Sequence, residues 1–188
     1  MDERRRVLRE ALQGILTTDR PLVWELGCGH GHFLTAYAQT HPERVCVGID
    51  IVSERIERAL RKRDRAKLAN LHFIRAEARL FLEELPPRAR FEDIFVLFPD
   101  PWPKLRHHKH RIMQPDFLTA AAARATATAH LCFRTDFTPY FNEAAAVVRA
   151  HRDWTVVGEP WPYEHETVFQ SRVKAFHSLV ARRSTPQP

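Results

Sequence analysis

The chain has 188 residues, 44% of them hydrophobic and 28% charged, and its 29 Lys and Arg against 23 Asp and Glu give a net charge of +6. That length and apolar content match one ordinary domain with its own core and exclude a fibrous or largely disordered chain. No run approaches the roughly 18 apolar residues of a membrane span, the N-terminus opens on Asp2, Glu3 and three arginines, and Cys28, Cys46 and Cys132 form no CxxC pair. A soluble protein of the reducing cytoplasm is expected, without membrane attachment or a disulfide framework.

Residues 1–20 read as a basic helical extension, 21–183 as the main domain and 184–188 as a frayed tail. From Leu22 onward apolar runs alternate with helical patterns, the signature of stacked βαβ units and a mostly parallel sheet with helices on both faces. Strands are expected at Leu22 to Leu26, Val45 to Ile49, Leu71 to Ile74, Phe91 to Phe98, Leu131 to Phe133, Trp154 to Val157 and Arg172 to Val180. Between them, helices are expected from Phe33 to His41, from Ser53 as N-cap through Leu60, over Ala78 to Leu85, over the alanine-rich Phe117 to Ala127 and over Pro139 to Arg149. Trp24, Phe33, Phe95 and Phe98 are expected in the core, and no internal repeat or linker interrupts the pattern.

Where the first strand turns into a helix the chain reads Glu25-Leu26-Gly27-Cys28-Gly29-His30-Gly31. Gly27, Gly29 and Gly31 let the backbone turn tightly and let a ligand touch it without meeting a Cβ, beside outward-pointing helix amides. The dinucleotide fingerprint places its third glycine one residue later and cradles a pyrophosphate. Here the spacing is G-x-G-x-G and Glu25 precedes it, which disfavours a phosphate and suits the ammonium of a cationic nucleoside such as S-adenosyl-L-methionine. Asp50, at the end of the second strand, is placed to accept both ribose hydroxyls. Glu77, after the third strand, is either a contact to the adenine amino group or an acid at a helix N-terminus. Cys28 is read as packing, not as a nucleophile.

The fourth strand runs into Phe98-Pro99-Asp100-Pro101-Trp102-Pro103-Lys104. Ligands of open α/β sheets bind outside the carboxyl ends of the strands, so Asp100 is expected in that crevice, on a loop stiffened by flanking prolines. Lys104 to Arg111 then reads Lys-Leu-Arg-His-His-Lys-His-Arg without one acid, and such self-repelling charge is useful only where an anion docks. Adjacent His107, His108 and His110 lack the carboxylate or Cys partners of a metal site, and none is expected. The basic run on the helix after Ser53 reads as a solvated face. One short loop thus combines an acid, an aromatic plate and a basic strip, which is the set needed to hold a nucleobase while nearby phosphates are gripped.

The run Phe98 to Arg111, together with Glu25 to Gly31, Thr135-Asp136, Tyr140 and Thr167, resembles the bacterial tRNA (guanine-N7)-methyltransferases of the TrmB type, over most of the chain from Pro21 to Val180. The resemblance implies a Rossmann-like class I methyltransferase that uses S-adenosyl-L-methionine (SAM), with a seven-stranded, mostly parallel sheet whose C-terminal strand is antiparallel. The implied substrate is a guanine in the variable loop of tRNA. Glu25, Asp50, Glu77 and Asp100 then look like cofactor contacts, with Asp100 also at the catalytic position. Lys104, Asp136 and the segment Thr167, Val168, Phe169 and Gln170 look like substrate contacts. Arg106, His107, Lys109 and Arg111 extend that set as phosphate-binding candidates. The chain departs from the family pattern at His110, where Arg is usual, at Gln170, where Glu is usual, and at Ala127 to His130, where a glycine pair is usual.

Guanine N7 has an in-plane lone pair and no proton, so orientation rather than a strong base is the requirement. Asp100 and Asp136 are expected to accept hydrogen bonds from the guanine amide and amino edge, which selects guanine over adenine. Three rivals stand beside this: methylation of an exocyclic base amine, a noncatalytic RNA-binding module, and a nicotinamide oxidoreductase, which the glycine spacing disfavours. No sequence feature selects between monomer and homodimer.

Overall fold

The computed structural model describes residues 2–17, 19–165 and 170–184. The elements in chain order are α1 (Asp2–Ile15), β1 (Leu22–Leu26), α2 (His32–Thr40), β2 (Val45–Asp50), α3 (Ser53–Ala66), β3 (Leu71–Arg75), α4 (Ala78–Glu84), β4 (Phe91–Leu97), α5 (Pro115–Ala123), β5 (Ala125–Thr135), α6 (Thr138–Ala150), β6 (Trp154–Val157) and β7 (His177–Arg183). The seven strands form one sheet in the order β3-β2-β1-β4-β5-β7-β6. The first five run parallel, and β7 is antiparallel to both its neighbours. None of the described helices is long and apolar enough to cross a membrane.

Alternation along the strands divides the core into two layers. Leu22 and Trp24 of β1, Ile94 and Val96 of β4, and Leu131 and Phe133 of β5 face a cluster filled by α1, α4, α5 and α6. Val23, Phe95 and Cys132, their neighbours in sequence, face the opposite cluster with Phe33, Leu34 and Tyr37 of α2 and Ile56 and Ala59 of α3. Trp24 anchors the first layer, packed against Phe81 and Phe91 at ring separations of 5.1 and 4.9 Å. Burying each such large side chain contributes about 2–3 kcal/mol. Helix α1 docks on this layer through Leu8 and Leu12, with Leu16 just after it, while Arg5 and Arg9 both pair at 2.8 Å with the buried Glu84. Two of the N-terminal basic residues are therefore spent on holding α1 in place.

Strand order reverses at β1, which lies between β2 and β4, and the crevice beyond the carboxyl ends of these three strands is where this architecture binds ligands. The glycine turn, Asp50 and the loop after β4 all leave that edge.

Four expected boundaries move. The alanine-rich helix stops at Ala123 and β5 begins at Ala125, because Phe91 of β4 recruits Ala125 and the hydroxyls of Thr126 and Thr128 bond Glu92. Strand pairing there overrides alanine's helix preference. The last strand starts at His177, not Arg172, set by the antiparallel register Thr135↔His177 with β5, and residues 170–172 form a short 3-10 turn. Ser53 is the first helical residue of α3 and Val52 occupies the cap without a side-chain bond. Phe98 lies outside β4 and is only half buried, whereas Trp24, Phe33 and Phe95 are buried as expected. The expected frayed residues beyond Ser184 lie outside the described residues.

Candidate active site

The glycine turn leaves β1 with Gly27, Gly29 and Gly31 at φ of 71°, 52° and 69°, the left-handed region that side chains disfavour. A Cβ on Gly27 or Gly29 would meet nothing within 4 Å, so these two present bare backbone to open space. Gly31 differs: its Cβ would fall 2.5 Å from Phe73 Cζ and 2.9 Å from Ala59 Cβ, which makes it a packing position where α2 crosses β3. Asp50 ties the turn to β2, accepting from the Gly29 amide at 3.1 Å and the Val52 amide at 2.9 Å, with Arg55 Nη1 at 3.5 Å. Glu25 is 4% exposed and its Oε2 finds no hydrogen-bond partner among the described residues. Burial pushes its pKa up to about 8, against the pull of the Leu34 amide and with a further push from Asp50. A buried carboxyl with an orphaned oxygen is the feature a cationic ligand would relieve. Cys28 is buried in the same turn, and desolvation raises its thiol pKa well above the ordinary value, so it packs and does not react.

A cavity of about 330 Å³ opens between these strand ends, within the range of small-molecule sites. Gly27, Asp50, Glu77 and Asp100 share its wall with Ile51 and Phe98, among others, whereas Glu25, Gly29 and Gly31 lie outside it. Glu77 caps α4, both carboxylate oxygens accepting backbone amides, Arg79 and Leu80, at 3.2 Å. Of its two expected roles, the one at a helix N-terminus is occupied, and an adenine contact would have to share those oxygens.

The loop after β4 is held in an uncommon shape. Phe98 and Trp102 take φ of 48° and 43°, and non-glycine residues persist there only where surroundings enforce it. The enforcing residue is Arg111. Its guanidinium donates to the Pro101 carbonyl at 2.9 Å and the Trp102 carbonyl at 3.4 Å, ion-pairs with Glu143 of α6, and lies 4.8 Å from the centre of the Tyr140 ring. Arg111 is 2% exposed, so it cannot serve as the phosphate contact expected from the basic run; its charge is consumed inside the protein. Lys104, which caps the 3-10 segment Leu105–His110, and Arg106 and Lys109 within it remain exposed. His107 is half buried, accepts from Arg106 Nε at 3.2 Å and packs edge-on to Trp102 at 5.8 Å, with His110 also 5.2 Å from that indole.

Asp136 follows β5, is exposed and makes no hydrogen bond to the described residues. Parallel pairing of Leu97 with Arg134 puts the departures of Asp100 and Asp136 at adjacent strand ends. Arg134, 4% exposed at the end of β5, donates to Ser178 at 2.9 Å and in bidentate fashion to Glu164, and its guanidinium stacks 3.8 Å over Trp161 and 5.0 Å from Phe176. Both sides of the expected substrate segment are thereby fastened to the strand end. Thr167, Val168 and Phe169 lie outside the described residues, and Gln170 opens the 3-10 turn after them.

Arg111, Glu143 and Arg134 were not identified from the sequence as supports of the site. Arg111 looks like one more cation of a run, and nothing local in the sequence marks its partner on α6. Arg134 precedes Thr135-Asp136 as an isolated charge in an apolar strand, and that isolation was the available signal.

The chain matches a family model described as "Putative methyltransferase" over residues 19–183. Curated relatives include a "tRNA (guanine-N(7)-)-methyltransferase" of Chromohalobacter salexigens, 30% identical over 168 residues that cover 88% of this chain and 68% of that protein. Proteins of the same name from Streptomyces avermitilis and Nitrosomonas europaea are 35% and 32% identical over 71% and 74% of this chain. The matches span only 46% and 62% of those two proteins' own length. Among solved structures, the 16S rRNA methyltransferase KamB aligns with a TM-score of 0.64 at 20% identity over 94% of this chain and 92% of its own. The aminoglycoside resistance methyltransferase NpmB1 aligns at 0.63 and 21% identity over 94% and 93%. At such identities the structural likeness establishes the fold.

Proposed function

The chain belongs to the tRNA (guanine-N7)-methyltransferase family, and from that membership we propose that it transfers the methyl group of SAM to N7 of a variable-loop guanine in tRNA. The observation that supports this most is the junction of three parts at one sheet edge. These are a cavity walled by Gly27 and Asp50, the rigid carboxylate Asp100 on its rim, and the exposed cations Lys104, Arg106 and Lys109 a few residues on.

The residues fit the donor. Asp50 offers carboxylate oxygens toward a ribose, the open backbone of Gly27 and Gly29 admits close approach, and the orphaned oxygen of Glu25 is suited to an ammonium. SAM, when bound, supplies a methyl group activated by its positively charged sulfur. Attack by the guanine N7 lone pair on that methyl would leave the carbon–sulfur electron pair on sulfur and pass the positive charge to the purine. No proton is removed at N7, so the protein's task is to align the two partners and to stabilise the purine as it becomes cationic. Asp100 and Asp136, leaving adjacent strand ends, accept hydrogen bonds from the guanine amide and amino groups. Adenine offers no such donor pair at that edge. Lys104, Arg106 and Lys109 hold neighbouring phosphates, with Trp102 set beside them as an apolar plate.

The test is mass spectrometry of tRNA nucleosides after incubation with protein and SAM. 7-Methylguanosine is expected, and Asp100→Ala should abolish it while leaving the fold intact, since Asp100 is exposed. Methyl groups found only on an exocyclic amine, or near wild-type turnover by Asp100→Ala, would overturn the assignment.

A further inference from the structure

Helix α3 carries charge that the corner just described does not use. Arg55, Arg58, Lys62 and Arg65 recur at i, i+3, i+7 and i+10, which at 100° per residue confines them to a stripe about 80° wide. Ile56 and Ala59 are buried on the core side, and Glu57 and Asp64 project from the remaining side. The spacing would allow Glu54–Arg58 and Glu57–Arg61 pairs of the i,i+4 kind that steady exposed helices. Neither forms among the described residues. Among the described residues the ion pairs of α3 are Arg55 with Asp50 at 3.5 Å and Arg63 with Asp64 at 2.6 Å, and no described carboxylate pairs with Arg58, Lys62 or Arg65.

The stripe also faces cations. His30 in the glycine turn and His32 at the start of α2 have ring centres 6.4 Å apart. Burial and the proximity of Arg58, Arg55 and Lys62 hold His30 below the ordinary imidazole range; burial, Lys62, His30 and His165 do the same to His32. Lys62 Nζ is shielded from solvent and has no hydrogen-bond partner among the described residues, and burial followed by Arg65 lowers its pKa. These cationic or protonatable groups crowd one another, and the carboxylate that acts on them, Asp50 on His30, is already held by Arg55 and two backbone amides, so a bound anion would convert the remaining repulsion into attraction.

We infer that His30, His32, Arg58, Lys62 and Arg65 form a second phosphate-binding surface for the substrate RNA, on the other side of the glycine turn from Lys104–Lys109. The RNA backbone then straddles the reactive corner instead of being gripped on one side of it. The location fits: His165, the last described residue before the expected substrate segment, acts electrostatically on His32. An anionic membrane is the other polyanion that attracts such a stripe, but interfacial helices expose bulky apolar residues beside their cations, whereas Ile56 and Leu60 of α3 pack inward. The inference rests on the reading of the substrate as tRNA.

The experiment compares tRNA binding by wild type, Arg58→Ala/Lys62→Ala and a control of equal charge, Arg149→Ala/Arg152→Ala, whose arginines lie at the far end of α6. Binding is titrated between about 50 and 200 mM salt and steady-state methylation is measured alongside. For Arg58→Ala/Lys62→Ala, affinity should fall about tenfold and the slope of log K against log salt should shrink by about one to two, since each lost phosphate contact removes roughly one. KM for tRNA should rise while kcat and SAM affinity hold. Arg58→Ala/Arg65→Ala, which alters exposed residues only, should repeat the effect if the half-buried Lys62 disturbs folding. Wild type that methylates tRNA, with both α3 variants indistinguishable from the control, would overturn this inference alone. Wild type that binds anionic vesicles and not tRNA would overturn the substrate assignment with it.

Discussion

Arg111 and Pro101 are joined by a 2.9 Å hydrogen bond from guanidinium to carbonyl, and that bond reaches from a buried cation to the residue beside the exposed carboxylate of Asp100. At the start of the strained loop the Phe98 amide donates to the Arg134 carbonyl at 2.8 Å, and Arg111 grips its middle. Removing Arg111 would release two carbonyls and free Trp102 from its positive φ.

Arg111→Ala should therefore lower kcat at least tenfold while changing SAM affinity only a few-fold, because Asp50 and the glycine turn are untouched. Arg111→Lys should rescue poorly, since an ammonium cannot reproduce a planar fork that meets two carbonyls, a carboxylate and the Tyr140 ring together. Loss of the buried network should cost about 1–3 kcal/mol. Steady-state kinetics with thermal melts and donor titration check this, and unchanged kcat would dismiss the positioning role.

Two glycines of the same turn should separate binding from stability. Gly31→Ala drives a methyl against Phe73 and Ala59 and also forces a side chain to φ of 69°, so it should destabilise by about 2–4 kcal/mol, with overpacking as the larger share. Gly27→Ala meets no atom, keeps only the penalty of its φ, and places its methyl toward the cavity. It should melt nearer wild type yet bind SAM more weakly. Chemical denaturation beside donor titration reads both, and equal destabilisation by the two would contradict the division.

That division also shows how far the sequence could be read. Local chemistry carries distance-free information: the G-x-G-x-G spacing, Asp50 at a strand end and prolines about Asp100 each announce themselves within a few residues. Partnerships across the fold do not. Gly31 reads as a third ligand glycine because Phe73 is 42 positions away, and Arg111 reads as a phosphate contact because Glu143 stands on another helix. Likewise Ala125 to Ala127 reads as helix until β4 is seen alongside, where Phe91 pairs with Ala125. The whole basic run reads as one surface, although burial divides its fixed charges into a structural cation and three exposed ones.

Arg134 should act on substrate binding from within the core. It fastens Glu164, Trp161 and Phe176, which flank residues 166–169, to the end of β5. Arg134→Met keeps much of the side-chain volume but loses the paired bonds and the stacking. KM for tRNA should rise about tenfold or more, with SAM affinity unchanged and kcat at saturating tRNA little altered. Arg134→Lys should recover part of the loss by keeping one bond to Glu164. A fall in kcat with unchanged KM would show that the latch serves chemistry instead.

Glu25 gives the protein a pH signature with a definite sign. Its folded pKa of about 8 stands above the ordinary carboxyl value, so the free protein favours the protonated form. Its contribution to stability is present in full below the ordinary value, and declines as pH rises toward about 8, because the unfolded chain ionises first. A cationic ligand reverses the preference and favours the carboxylate. SAM binding should therefore release close to one proton at pH 7, and affinity should climb as pH approaches 8 and level off above it. Glu25→Gln should remove the slope, bind the donor more weakly at pH 8 and melt higher there than wild type when ligand-free. Calorimetry in two buffers of different ionisation heat counts the protons, and the Glu25→Gln protein subtracts every other titrating group. An affinity for SAM that is flat from pH 6 to 9 in wild type would show that the buried carboxyl does not meet the ligand's charge.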